Sequence, residues 1–134
     1  MLDHVALEVD DLARSASFYD ALMLPLGGRR IVDSPEGIGY GRDRPELWIM
    51  PRNATGDRAG NGRTRTDGPP PRRGHVAIAA FGRRAVDAAH EAGIAAGGRD
   101  GGKPAPRRFG PPNYYSGYLV DPDGAWLELV SGSQ

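Results

Sequence analysis

The feature that most constrains this chain is a repeat. His4-Val5-Ala6-Leu7-Glu8-Val9 reappears as His75-Val76-Ala77-Ile78-Ala79-Ala80, 71 positions later. Self-similarity at a fixed spacing marks a duplicated unit and governs how every other segment is read. Each copy reads as a strand, and each is followed by apolar residues at three- and four-residue steps, the spacing of a helix face. Asp10 or Asp11 caps the first helix, Leu12, Ser15/Ala16, Tyr19 and Leu22 form its stripe, and Pro25 with Gly27-Gly28 ends it. Ala85, Val86, Ala89, Ala92 and Gly93 line the second helix, which stops at Gly97-Gly98. Each copy closes on a further alternating strand, Glu46–Met50 and Ala125–Val130. Asp121-Pro122-Asp123-Gly124 is a turn signal that joins the last strand to the run Tyr114–Val120 as a hairpin. The pattern predicts an α+β fold in which strand, helix and several strands occur twice.

Units of this size, roughly 60 to 70 residues, are close to the minimum that holds a core alone. A sheet covered by one helix also leaves its other face bare, so the halves are expected to pair into one domain. The expected boundaries are a first module at about 1–51, a connector at 52–73 and a second module at about 74–131. The connector carries six Arg against two Asp and reads as a solvated loop. The 20 Gly and 12 Pro crowd between 52 and 74 and between 97 and 112, which suggests long loops there. Lys+Arg and Asp+Glu are both 17, so no basic excess exists to displace counterions from a nucleic acid. With no Cys, disulfides, thiolate metal sites and Cys nucleophiles are excluded. No 18-residue apolar run and no secretory leader pattern is found, so neither a membrane partner nor export is expected and a cytoplasmic protein is. Gly97-Gly98-Arg99-Asp100-Gly101-Gly102 lacks dinucleotide-binding spacing, and no P-loop, GxSxG or HExxH motif occurs.

Strand parity selects the candidate site. Side chains alternate across a strand, so residues of one parity share a face. Val5, Leu7 and Val9 should pack under the first helix, leaving His4, Ala6 and Glu8 on the other face. Val76 and Ile78 should do the same in the second copy, leaving His75, Ala77 and Ala79. On the last strand Leu127 and Leu129 take the helix side and Trp126, Glu128 and Val130 the second face. If the two sheets curl around a shared cavity, His4, His75 and Glu128 can converge there. Two imidazoles and a carboxylate suit a divalent Zn, Fe, Mn, Ni or Co ion with positions left open for an oxygen-bearing substrate.

His4-Val5-Ala6-Leu7, Asp11-Leu12-Ala13-Arg14-Ser15 with Phe18-Tyr19, His75-Val76-Ala77, Asn113-Tyr114-Tyr115, Asp121-Pro122-Asp123-Gly124 and Trp126-Leu127-Glu128 together resemble the glyoxalase/bleomycin-resistance/extradiol-dioxygenase (vicinal oxygen chelate) superfamily. The resemblance covers nearly the whole chain. It implies two βαβββ modules pairing into a curved sheet around a central cavity, often in a homodimer, with metal ligands on the first and last strand of each module. His4, His75 and Glu128 match three of those four positions. The fourth aligns with Trp48, whose indole offers no ligand; Glu46, two residues earlier, is the weaker alternative. The superfamily contains isomerases, lyases, dioxygenases, thiol transferases and metal-free antibiotic-binding proteins, so fold does not fix activity.

The resulting expectation is a metal-dependent lyase, isomerase or dioxygenase acting on a small oxygenated metabolite. Its alternative is a metal-free binding or antibiotic-sequestering protein. Glu8 is a candidate acid/base, and a tyrosine among Tyr114, Tyr115 and Tyr118, with Tyr115 put in the catalytic set, is a candidate donor to an oxyanion. Trp48, Tyr118 and Trp126 would wall the pocket. Arg107 and Arg108 read as solvated loop charges, with a clamp on an anionic substrate as the alternative, and His90 as structural. Exposed sheet edges in each half point to a homodimer.

Overall fold

The computed structural model describes residues 1–52, 74–108 and 110–132. The N-terminal module contains β1 (Val5–Val9), α1 (Leu12–Met23), β2 (Arg29–Ser34), β3 (Gly37–Gly41) and β4 (Leu47–Pro51). The C-terminal module repeats the order with β5 (Val76–Ala79), α2 (Arg83–Ala95), β6 (Arg99–Pro106), β7 (Tyr115–Val120) and β8 (Trp126–Ser131). The two four-stranded sheets have equivalent orders, β1-β4-β3-β2 and β5-β8-β7-β6. In each, the first strand runs parallel to the last and the remaining pairs are antiparallel. A helix supplies the crossover that a parallel pair requires. The connector expected at 52–73 lies outside the described residues from 53 onward.

Local chemistry explains the helix ends. Asp11 is the N-cap of α1, its carboxylate accepting the Arg14 N–H at 3.0 Å. After Met23 a short 3-10 turn through Pro25 ends at Gly27, whose φ of 73° is open to glycine at little cost. At the end of α2, the Gly98 N–H returns to the Gly93 carbonyl at 2.9 Å. The Gly/Pro-rich stretch after Gly97 differs from the loop its composition suggested, because 99–106 forms β6. That strand is an edge, paired among the described residues with β7 alone and interrupted by register shifts on both sides of Gly102. An edge strand tolerates Pro104 and Pro106, which a central strand would not.

One apolar core spans both modules. Phe18, Tyr19 and Leu22 of α1 meet Val86 and Ala89 of α2, with Ile49, Leu119, Leu127 and Leu129 from the sheets beneath. Each module also grips the other through the turn before its last strand. Asp123 accepts the Asp10 N–H at 2.9 Å, the Ser15 hydroxyl at 2.9 Å and Arg14 at 3.1 Å, seating the DPDG turn on the start of α1. Reciprocally, Arg42 donates to the Leu26 carbonyl and, at 2.8 Å, to the Ala79 carbonyl, with its guanidinium 4.0 Å from the centre of the Phe81 ring.

Candidate functional site

The helix-free face of the C-terminal sheet carries a polar cluster fixed by strand register. Ala77 lies opposite Glu128 in the parallel β5–β8 pair, and Tyr118 lies opposite Glu128 in the antiparallel β7–β8 pair. His75, just before β5, shares the parity of Ala77. Its Nε2 stands 2.9 Å from Glu128 Oε2. The Tyr114 hydroxyl donates to the other carboxylate oxygen at 3.0 Å. Glu128 is buried, so desolvation pushes its pKa up; hydrogen bonds from Ser116, Tyr118 and Tyr114 and the charge of His75 outweigh this and hold it below the usual value. Burial and the hydrogen bond to Glu128 raise the Tyr114 phenol. The His75 and Tyr118 rings meet edge to face, 5.6 Å between centroids.

Arg107 borders this cluster. Its Nε donates to the Ser116 hydroxyl at 3.1 Å, and Nη2 donates to the Ser116 carbonyl at 2.8 Å and the Lys103 carbonyl at 3.2 Å. Its guanidinium carbon lies 5.4 Å from the centre of the Tyr118 ring. Ser116 thus links Arg107 to Glu128 from the wholly buried floor of the sheet. Sequence reasoning overlooked Ser116, although it has the parity of Tyr118 and Glu128.

The N-terminal sheet presents the equivalent face without a carboxylate at the equivalent place. Trp48 lies opposite Ala6, as Glu128 lies opposite Ala77. Its indole lies across Gly39, where a Cβ would stand 3.1 Å from the ring, and beside Gly37. Glu8 occupies the same face, half-buried and opposite Met50. Glu46 is exposed, its carboxylate 3.7 Å from Arg44.

The structure therefore brings together His75, Glu128 and Tyr118, and adds Tyr114, Ser116 and Arg107. It keeps His4 apart: the half-exposed imidazole pairs with Asp3 at 2.6 Å. Tyr115, of opposite parity, packs against the core and donates its hydroxyl to Asp87 of α2 at 2.7 Å. Trp126 shares the parity of Glu128 and packs against Gly101. Arg108 is exposed. His90 is buried on α2, its Nε2 3.1 Å from both Asp100 and the Tyr118 carbonyl. Between the modules is a cavity of about 330 Å³ whose lining includes His4, Arg42, Tyr40, Glu46 and Ala77 but neither His75 nor Glu128. Among the described residues, no three of His, Cys, Asp and Glu stand close enough to hold a metal ion. His75 and Glu128 are suitable donors, but this arrangement supplies two and not three, so a divalent ion does not fit it as it stands.

Duplicated βαβββ modules with a histidine–carboxylate pair on the helix-free face define a vicinal-oxygen-chelate type of protein. Residues 1–129 match the model of the Glyoxalase/Bleomycin resistance protein/Dioxygenase superfamily, and the chain belongs to that superfamily. A glyoxalase/bleomycin resistance protein from Albidiferax ferrireducens is 30% identical, with a TM-score of 0.71 over 95% of this chain and 94% of the other. A putative glyoxalase from Bacillus halodurans is 27% identical, with a TM-score of 0.69 over 98% and 96% of the two chains. Lactoylglutathione lyase from Agrobacterium tumefaciens, 22% identical with a TM-score of 0.61 over 97% and 92%, shares the fold. No functionally curated protein matches the chain. No helix among the described residues is long and apolar enough to cross a membrane.

Proposed function

We propose that this protein binds a small oxygenated molecule on the helix-free face of its C-terminal module, without needing a metal to do so. The observation that carries the reading is the state of Glu128. Both of its oxygens already have protein partners, His75 and Tyr114, and the buried carboxylate is held ionised by further hydroxyls. A metal ion would have to displace one of these donors and bring His4 away from Asp3. A ligand need only meet the outer side of a preformed set of hydrogen-bonding groups, with Tyr118 and Trp126 as flanking aromatic surface.

A second reading, a metal-dependent lyase, isomerase or dioxygenase using His4, His75 and Glu128, is favoured by one observation. His4 and His75 occupy equivalent places, each immediately before the first strand of its module. In that reading Glu8 is the candidate acid/base, and a homodimer completes the assembly.

Titration of tag-free, chelator-treated protein with catechol and salicylamide, followed by calorimetry and tryptophan fluorescence, separates the two. Saturable binding without metal that weakens in Glu128→Gln is the expected result. Binding that appears only after Mn, Fe(II), Co, Ni or Zn is added, and is lost in His4→Ala, would overturn the metal-free reading.

A further inference from the structure

We infer that Arg107 anchors an anionic oxygen of the ligand, so that the molecule held on this face carries a carboxylate or an equivalent acidic group. The inference rests on the ligand-binding reading of the same face and narrows it to a chemical class.

The guanidinium is already fixed along two edges. Nε and Nη2 are spent on Ser116 and on the Lys103 carbonyl. Those acceptors are a hydroxyl and two carbonyls, so they orient the group without cancelling its charge. Among the described residues, no acceptor takes the Nη1 hydrogens and no carboxylate lies within ion-pair distance of Arg107. The nearby carboxylate, Glu128, is saturated by His75, Tyr114 and neighbouring hydroxyls and reaches Arg107 only through Ser116. A half-buried cation with ordered geometry and one unfilled edge is a preorganised donor, and charge-assisted hydrogen bonds are the strong ones.

Position supports the same conclusion. The guanidinium sits against Tyr118, whose parity places it on the face of Glu128 and His75. Gly102 lines the same spot: a Cβ there would stand in ordinary contact, 3.4 Å from the Tyr118 ring and 3.8 Å from Arg107 Nη2. The register shifts flanking Gly102 carry β6 past this point, and Arg107 follows that strand directly. The bulged edge strand therefore delivers one arginine to the rim of a face whose own carboxylate already has a partner on each oxygen. A neutral carbonyl meets the Nη1 donors with ordinary hydrogen bonds, whereas an anionic oxygen meets them with stronger, charge-assisted ones.

The test pairs salicylate with salicylamide, and lactate with lactamide, as probes of matched shape and different charge. Affinities are measured by calorimetry on wild type, Arg107→Gln and Arg107→Lys, with circular dichroism melts as a folding control. Wild type should prefer the carboxylate by about tenfold, the scale of one charge-assisted hydrogen bond. Arg107→Gln should reduce that preference to within about twofold, chiefly by weakening salicylate and lactate, and Arg107→Lys should retain part of it. Nitrogen-detected NMR of wild type adds a readout independent of any variant: the Arg107 side-chain resonances should shift with salicylate and not with salicylamide. Equal affinity for acid and amide, with no Arg107 shift, would overturn the inference and leave the ligand site standing. No binding of either probe at millimolar concentration would overturn the ligand-site reading itself and the inference with it.

Discussion

His75 Nε2 lies 2.9 Å from Glu128 Oε2, tying the residue that precedes the first strand of the C-terminal module to the middle of its last strand. The tie crosses the parallel β5–β8 pair on the face opposite α2, where Ala77 is too small to intervene. In the N-terminal module the same geometry holds Trp48 opposite Ala6, and His4 turns to Asp3 instead. A duplicated scaffold thus carries an asymmetric site: polar and charged in one copy, aromatic in the other.

That pair should be energetically coupled. His75→Ala and Glu128→Gln, singly and together, form a double-mutant cycle in urea denaturation at neutral pH. A coupling of about 1 kcal/mol is expected, less than a fully buried pair would give because the imidazole is 31% exposed. Strict additivity would show that the two side chains do not interact in solution.

The interface between the helices rests on a glycine. A Cβ at Gly93 would stand 2.5 Å from Leu119 Cδ1 and 3.3 Å from Leu22 Cδ1, atoms of the shared core. Gly93→Ala should therefore destabilise the protein by about 1–3 kcal/mol through overpacking, despite the roughly 1 kcal/mol by which Ala favours a helix. A stability in urea equal to or above wild type would show that the Leu119 and Leu22 side chains shift to admit the methyl group.

Arg42 should matter for the docking of the two modules. It satisfies the Leu26 and Ala79 carbonyls and covers Phe81, so Arg42→Ala leaves two acceptors short of a partner and one ring uncovered. A loss of about 1–3 kcal/mol is expected from equilibrium unfolding. A loss within experimental error would mean that water replaces the arginine at both carbonyls.

The sequence made much of this architecture legible, because it rests on local and periodic signals. The histidine-led repeat located β1 and β5, Asp11 capped α1 as its side-chain chemistry suggested, and the DPDG turn joined β7 to β8. Aligning the last strands of the two modules placed Trp48 and Glu128 at equivalent positions, and the register agrees. Parity orders residues only within a sheet, however. It does not say how far one sheet lies from the next, and so His4 could not be tied to His75 or Glu128 from spacing. Tyr115 illustrates a related limit, since its face depends on the hairpin register, and that register turns it toward Asp87. β6 was hidden because Gly101, Gly102, Pro104 and Pro106 are poor strand formers, tolerated at a bulged edge.

The buried turn carboxylate makes stability depend on pH. Burial raises the Asp121 pKa above its ordinary value, against hydrogen bonds from Tyr19 at 2.6 Å and from the Ala125 and Asp123 N–H groups. A carboxyl with a raised folded-state pKa binds its proton more tightly in the native state than in the unfolded one. Its contribution is therefore fully present below the unfolded value, about 3.9, and declines as pH rises through the raised folded value. Asp121→Asn does not titrate there, so the stability of wild type relative to this variant should be greatest in acid and fall toward neutral pH. Urea melts of both proteins across pH 3 to 7 measure the difference. A difference that stays flat or grows with pH would mean that the three donors outweigh burial at Asp121.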